Sequence, residues 1–223
     1  MRFVTYNIHH GQGIDGLFSP GRIARLLAAL NPDVVGLNEV LKLSGRRDQA
    51  AIIGELLGMS HAYEETHRYS FWGAGNGVLS RGQIVAVDGF DLPGGMERRE
   101  CLICTIELDG VHFRFATAHL ALNREARARS IEILVRDLPD DLPLVLAGDF
   151  NAPMSEIEPL RARLTVVDAP PTFPSWRPTK PLDVMAFSEH WRLTNVLVAP
   201  SIASDHRPLV VDLAIRSAGS GGD

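Results

Sequence analysis

Four polar residues, Asn7, Glu39, His119 and Asp149, each follow a largely apolar run: RFVTY, DVVGLN, VHFRFATA and LPLVLAG. Runs of this length and composition read as β-strands. The four side chains therefore fall at corresponding strand ends. Asp183 precedes VMAF and the pair Asp205-His206 precedes Arg-Pro and LVVDL, so these three fall at or before strand starts. Antiparallel neighbours bring such positions to the same edge of a sheet. One polar strand end is commonly just solvated, but a set at matching ends marks a site.

The chemistry these residues suit is specific. Glu39, Asp149, Asp205 and the amide oxygens of Asn7 and Asn151 are hard donors, which favour Mg²⁺ or Mn²⁺ over zinc. A zinc centre calls for several His or Cys ligands at short spacing, and the adjacent His9-His10 is the nearest approach to one. A hard dication polarises a phosphoryl oxygen and stabilises a leaving alkoxide. Asp183 is a candidate to orient the His206 ring. A carboxylate partner raises the pKa of His and favours imidazolium, which suits phosphate binding; the pair can equally serve as a general base.

The elements that must position these groups are organised around Leu142–Pro153. Leu144 to Ala147 is too short for an ordinary helix and reads as a strand buried on both faces. It ends at Gly148, and Asp149 and Asn151 follow. Polar groups there need a partner. A metal or phosphate would supply one, and a plain Asx-turn is the alternative. Upstream, Ser19-Pro20 is a helix start, with Ile23, Leu26, Leu27 and Leu30 as its apolar stripe and Asn31-Pro32 as its stop. Asp48 to Leu57 reads as a second helix and His61 to His67 as a strand. YSFWGAGN reads as a loop. Gly77–Ser80 and Ile84–Val87 read as a hairpin joined at Arg81-Gly82-Gln83, and Leu102–Leu108 with Val111–Ala118 as a stronger one across Asp109-Gly110. Asn123 caps a helix to about Asp137, and Pro153 opens a short one. APPTFPSWRPTKP is loop. Leu182–Phe187, Leu193–Val198 and Leu209–Leu213 are strands. Many strands with few helices indicate packed sheets with helices outside, and no sequence repeat is visible.

The chain has 223 residues, 45% of them hydrophobic, which suffices for one sizeable core. The expectation is a single domain over 1–215 and a disordered tail over 216–223. A net charge of -5 gives no global basic field for gripping nucleic acid. No signal peptide or membrane-spanning segment is expected, which points to the cytoplasm. Cys101 and Cys104 fall on opposite faces of a strand and read as buried structural thiols. Nothing indicates an oligomer, so a monomer is the default.

With these residues assembled, the chain resembles the endonuclease/exonuclease/phosphatase superfamily, metal-dependent phosphohydrolases that share the fold of pancreatic-type deoxyribonuclease. The matching blocks are TYNI (5–8), GLNEV (36–40), GNGVLSR (75–81), ATAHL (116–120), GDFN (148–151), LDVMAF (182–187) and SDHRP (204–208). They span nearly the whole chain in order. The resemblance implies an α+β fold, a four-layer α/β/β/α sandwich with two packed mixed sheets flanked by helices. It implies Glu39 as principal metal ligand, helped by Asn7 and Asp205, with Mg²⁺ or Mn²⁺ as cofactor. Asp149 would position or deprotonate the attacking water, and Asn151 would hold it and the phosphate. His206, oriented by Asp183, would contact the scissile phosphate, and His119 another of its oxygens. Attack on phosphorus would be in line and direct. One or two metals, and Asp149 or His206 as base, stay open.

The sequence also departs from the family pattern. Asn38 stands where a Gln is usual, and IHHGQG and PLDV replace the blocks of the abasic-site nucleases. The preferred substrate is accordingly a small, lipid or sugar-linked phosphoester. A DNA or RNA nuclease is the alternative, and a non-catalytic phosphate-ligand module the reading from another class. Asn76, His10, Trp176 and Arg207 are the candidates for substrate contact. Trp72, Arg99 and Lys180 are further ones, whereas His67 reads as surface or core.

Overall fold

The computed structural model describes residues 1–95 and 97–216. Apart from Arg216, the tail expected to be disordered lies outside them. In chain order the strands are β1 (Arg2–Asn7), β2 (Val34–Leu43), β3 (Ser60–Arg68), β4 (Trp72–Ser80), β5 (Gln83–Leu92), β6 (Arg99–Leu108), β7 (Val111–His119), β8 (Leu144–Asp149), β9 (Thr165–Val166), β10 (Asp183–Phe187), β11 (Trp191–Val198) and β12 (Leu209–Ile215). Among the described residues they form two six-stranded sheets, ordered β11-β12-β1-β2-β4-β3 and β5-β6-β7-β8-β10-β9. Each sheet carries one parallel pair at its centre, β1 with β2 and β7 with β8, and its other pairs are antiparallel. The α-helices are α1 (Pro20–Leu30), α2 (Gln49–Leu57), α3 (Arg124–Asp137) and α4 (Met154–Ile157). α1 lies between β1 and β2 in the chain, and α3 between β7 and β8. The two sheets thus repeat one pairing pattern that leaves no trace as a sequence repeat.

Side-chain alternation along the strands builds the layers. Phe3, Phe113, Phe115, Val145, Ala147 and Trp191 pack between the sheets, with Phe3 stacked on Phe115 at 6.0 Å and edge-on to Trp191 at 5.5 Å. Val4, Tyr6, Val35 and Leu37 face the other way, against Ile23 and Leu27 of α1 and Ile53 of α2. Leu144 and Leu146 likewise face Ile131 and Leu134 of α3. The result is the α/β/β/α sandwich. β8 is buried on both faces because each face meets a different layer. Cys101 joins the outer layer and Cys104 the inner one, both as free thiols. Burial pushes both thiols up, far from reactive thiolate. No helix among the described residues is long and apolar enough to cross a membrane.

The local signals at helix starts operate as expected. Ser19, Asp48 and Asn123 each accept a backbone N–H from the first turn of their helix. The Asp109-Gly110 hairpin also forms, with φ of 51° and 76° at the two positions, as a two-residue turn of this kind requires. The expected hairpin at Arg81-Gly82-Gln83 does not form. β4 pairs with β2 and β3, whereas β5 pairs with β6 in the opposite sheet. Gly82 does not take a left-handed φ, so the turn that would fold the chain back is missing. β4 is buried along nearly its whole length and serves as an interior strand instead. It also absorbs Trp72–Asn76, expected as loop. β9, which pairs with β10, had no signal of its own.

Gly148 pairs with Ala118 where β8 runs beside β7. Its φ is +142°, and a Cβ there would lie 1.9 Å from the Ala118 carbonyl oxygen. Gly148→Ala combines an unfavourable backbone conformation with a steric clash. It is expected to cost about 2–5 kcal/mol, lowering Tm by roughly 5–15 °C in a thermal melt. An unchanged Tm would contradict this close approach of the two strands.

Candidate active site

The two parallel pairs direct their C-terminal ends to one edge of the sandwich. In register, Asn7 lies beside Asn38, and His119 beside Asp149. β10 runs antiparallel to β8, which sets Asp183 directly beside Asp149. The turn before β12 delivers Asp205 and His206 to the same edge. There the Ser204 hydroxyl donates to the Asn7 carbonyl at 2.7 Å and accepts the His206 N–H at 3.2 Å. A cleft of about 440 Å³ opens here, and its lining includes Glu39, His119, Asp149, Asn151, Asp205 and His206.

Glu39 reaches the cleft differently from the other strand-end residues. β2 does not stop there but continues to Leu43. Leu37 pairs with Gly77 and Val40 with Gly75, so Asn38 and Glu39 together oppose Asn76. This bulge re-aims Glu39, at φ 56°, into the cleft. His9, His10 and Asn151 also have positive φ, of 45°, 54° and 50°. Such conformations cost on the order of 1–3 kcal/mol each and persist where the surroundings over-determine them. Gln49 of α2 supplies one such restraint. Its amide accepts the Leu41 N–H at 2.9 Å and donates to the His10 carbonyl at 2.6 Å, tying the bulge to the histidine turn.

Asp149 is the hub. Its Oδ1 accepts the Asn151 N–H at 2.9 Å, so the Asx-turn does form, inside the site. Its Oδ2 accepts from Asn7 Nδ2 at 3.0 Å and lies 3.5 Å from His206 Nε2 and 3.6 Å from His119 Nε2. Its backbone N–H donates to Asn38 Oδ1 at 2.9 Å, and Asn38 Nδ2 donates to Asn76 at 2.8 Å. The shorter amide at position 38 therefore links the two sheets. His206 Nδ1 lies 2.8 Å from Asp183 Oδ2. The other oxygen of Asp183 is buried without a partner.

These contacts set the protonation states. Burial pushes the Asp149 carboxyl up to about 7; the His206 charge only partly offsets it, and the Asp183 charge adds to it. Burial works against a charged His206, but the charge and hydrogen bond of Asp183, with Asp149 and Asp205 behind them, outweigh it and raise that ring to about 10. His119 is held well below its ordinary value by burial and by the Arg99 guanidinium. Arg99 Nη1 lies 3.2 Å from His119 Nδ1. Arginine can only donate, so Nδ1 accepts and the ring is neutral, with Asn151 Nδ2 3.1 Å and Asp149 Oδ2 3.6 Å from Nε2.

A divalent cation fits the donors present. Glu39 and Asp205 offer carboxylates that are a quarter to a third exposed. Among the described residues, no three of His, Cys, Asp and Glu form a ready metal cage. Two carboxylates, with water and substrate oxygens filling the other positions, is the way Mg²⁺ is usually held, and it does not suit zinc. Asn7 lies against the first of these carboxylates. Its Oδ1 accepts the His9 N–H, and its Nδ2 donates to both Glu39 and Asp149, each bond being 3.0 Å.

Of the candidates for substrate contact, His10 and Asn76 line the cleft, whereas Trp176 and Arg207 do not. Trp176 is exposed on the proline-rich loop, and the Arg207 guanidinium is turned back to the Ser175 carbonyl at 2.6 Å. Asn76 is buried in β4, its amide engaged with Asn38 and with the Glu100 carbonyl, rather than in a left-handed turn. Trp72, Arg99 and Lys180 line the cleft, and so does His67, which had read as surface or core. Glu97, Tyr69 and Phe173 join them without having been singled out in the sequence.

This geometry, two sheets meeting at a cluster of carboxylates, amides and imidazoles, has a counterpart among known proteins. The chain belongs to the endonuclease/exonuclease/phosphatase family, which matches residues 4–206. It is 28% identical over 167 residues to the uncharacterised protein YbhP of Escherichia coli, covering 67% of this chain and 66% of that one. It is 27% identical over 168 residues to mouse tyrosyl-DNA phosphodiesterase 2, covering 70% of this chain and 42% of that one. The crystal structure of an endonuclease/exonuclease/phosphatase from Beutenbergia cavernae shares the fold, with a TM-score of 0.79, 24% identity, and coverage of 96% and 71% of the two chains.

Proposed function

We propose that residues 1–215 form one catalytic domain, a phosphoric ester hydrolase dependent on Mg²⁺ or Mn²⁺. Its substrate is a small phosphoester, cleaved by direct in-line attack of water. The observation that carries this reading is the contact between Asp149 and His206, both raised by their surroundings. One is a carboxyl pushed up to about 7, the other an imidazolium held to about 10, and they lie 3.5 Å apart. A carboxyl poised near neutrality suits a general base, and a ring held charged suits a donor to phosphate. Asp149 is then the group that accepts the proton of the attacking water. His206 stays charged and donates to a phosphoryl oxygen. Neutral His119 and the Asn151 amide hold the remaining oxygens, and Asn7 clips Glu39 to Asp149. Glu39 and Asp205 are the residues that would hold the dication, which neutralises charge on the phosphoryl and leaving oxygens.

The cleft suits a small molecule better than a duplex, and the net charge of -5 gives no electrostatic pull on DNA. Similarity to a tyrosyl-DNA phosphodiesterase favours a nuclease-like activity as the second reading. Two buried free cysteines are compatible with the reducing cytoplasm. The test is turnover of bis(p-nitrophenyl) phosphate, sugar phosphates and lipid phosphoesters beside plasmid and single-stranded DNA, with Mg²⁺ or Mn²⁺. Small esters are expected to be cleaved fastest. Preferential cutting of DNA would replace the first reading by the second, and inactivity on every substrate would reject both. Glu39→Gln is expected to raise the Mg²⁺ concentration needed for half-maximal rate by about tenfold or more, since even groups behind a metal ligand are worth 10–100-fold in affinity. An unchanged metal titration would remove Glu39 from the ligand set.

A further inference from the structure

The floor of the cleft accounts for a phosphoryl group but not for the rest of a substrate. Its β3–β4 wall is built of rings. Tyr69 and Trp72 lie with centroids 4.4 Å apart. His67 stands edge-on to both, at 5.5 and 6.1 Å, and His10 meets Trp72 at 5.7 Å. All four line the cleft beside the catalytic residues. Tyr69 is nevertheless 47% exposed, and Leu122 on the opposite wall 78%. Large apolar side chains left open around a polar floor mark where a ligand sits.

The composition of the wall narrows the ligand. An acyl chain gains from an enclosed apolar sleeve. This wall is open, and its rings stand beside the polar Thr66 and Glu97. A polymer needs a long basic track, whereas Arg99 here is tied to Glu97 at 2.7 Å and to His119. A flat ring needs neither, because stacking on an aromatic side chain works at an open, wet surface. We infer that one alcohol of the substrate carries a planar aromatic ring, a nucleobase or an aryl group. It stacks on the Tyr69–Trp72 pair while the phosphate rests against Asp149, Asn151, His119 and His206. This inference rests on the hydrolase reading for its phosphate subsite, and it adds the determinant of specificity.

Four methyl diesters test it: methyl benzyl, methyl cyclohexylmethyl, methyl octyl and methyl thymidin-5′-yl phosphate. All lose an alkoxide of similar leaving ability, and the alcohol released is measured by chromatography. The benzyl or thymidyl diester is expected to exceed the cyclohexylmethyl diester in kcat/KM by about tenfold or more, the value of one stacked ring. Whichever of the two is preferred distinguishes an aryl group from a nucleobase. In Trp72→Ala, and in Tyr69→Ala at the more exposed ring, this ratio should fall towards one, and Trp72→Phe should retain most of it. Equal rates for ring and saturated ring, preference for the octyl ester, or a ratio unmoved by either alanine variant would overturn the inference. A second measurement is independent of turnover. Asp149→Asn protein titrated calorimetrically with benzyl phosphate and thymidine 5′-monophosphate should bind at least one of them more tightly than cyclohexylmethyl phosphate. That preference should be lost with Trp72→Ala added. Binding without turnover in the wild type would reject the hydrolase reading and keep the subsite. Turnover without ring preference would do the reverse.

Discussion

Asp149→Asn is expected to lower kcat by on the order of 10³ or more, the loss that follows removal of a positioned general base, while the protein stays folded. The substitution changes almost nothing in shape. An amide oxygen can still accept the Asn151 N–H that now bonds Oδ1 at 2.9 Å. What disappears is a negative charge, the capacity to take a proton and the acceptor that Oδ2 offers to Asn7 Nδ2 at 3.0 Å. The charge is one the fold tolerates at a cost, because Asp149 is 1% exposed and its carboxyl is raised from the ordinary value to about 7 chiefly by burial. A carboxyl whose folded pKa exceeds its unfolded one makes the fold progressively less stable as pH rises from about 4 to about 7. Below that window both states bind the proton and the effect vanishes. The variant should therefore match or exceed the wild-type Tm at pH 8 and lose any such advantage near pH 4. Initial rates at saturating Mg²⁺ and melts at the two pH values check both halves. A kcat within tenfold of wild type would take the base role away from Asp149.

That pairing of lost turnover with retained stability belongs to a site whose members were largely legible in the chain. Asn7, His119 and Asp149 could be read because each closes an apolar run, and a strand end is a local property. The antiparallel partners Asp183 and His206 followed from strand polarity. Glu39 was read as a strand end for the same reason, yet it is a bulge residue. No local signal separates a strand that stops at a carboxylate from one that continues past it, and the distinction depends on Asn38 and Glu39 opposing Asn76. The β4–β5 connection failed similarly. Pairing partners are chosen by burial across the whole sandwich, and a short Gly-containing link allows either outcome. The four layers came from family resemblance, the residues themselves giving only packed sheets with helices outside, and strand order could not be read from them. The walls of the cleft were least legible. His67 and Tyr69 reach it through the packing of β3 and β4 around the site, and nothing in their neighbours along the chain says so. Trp176 and Arg207 suited the chemistry by residue type, but Trp176 stands outside the cleft lining and Arg207 turns back to the Ser175 carbonyl.

The second large effect concerns His206. His206→Ala is expected to lower kcat by about 10²–10³, the typical loss for one donor aimed at a developing oxyanion. It should also destabilise the fold by about 3–5 kcal/mol, because it leaves the buried Asp183 carboxylate without its counter-charge. Asp183 is 1% exposed, and its second oxygen already lacks a partner. Asp183→Asn is the milder test. It keeps an acceptor for His206 Nδ1, now 2.8 Å away, but removes the charge that holds the ring protonated. The direction with pH follows from the raised value of His206. The stabilisation is complete below the unfolded pKa near 6.5 and disappears as pH rises through about 10. Wild-type Tm should thus fall between pH 7 and 10 by more than that of Asp183→Asn. The double variant decides how the two residues act. If Asp183 works through His206, then Asp183→Asn combined with His206→Ala should lose no more kcat than His206→Ala alone, as members of one unit do. It should also recover part of the lost Tm, because the stranded charge is gone. Losses that multiply, with no recovery of Tm, would mean that Asp183 acts on the substrate or the metal by a route that bypasses the imidazole.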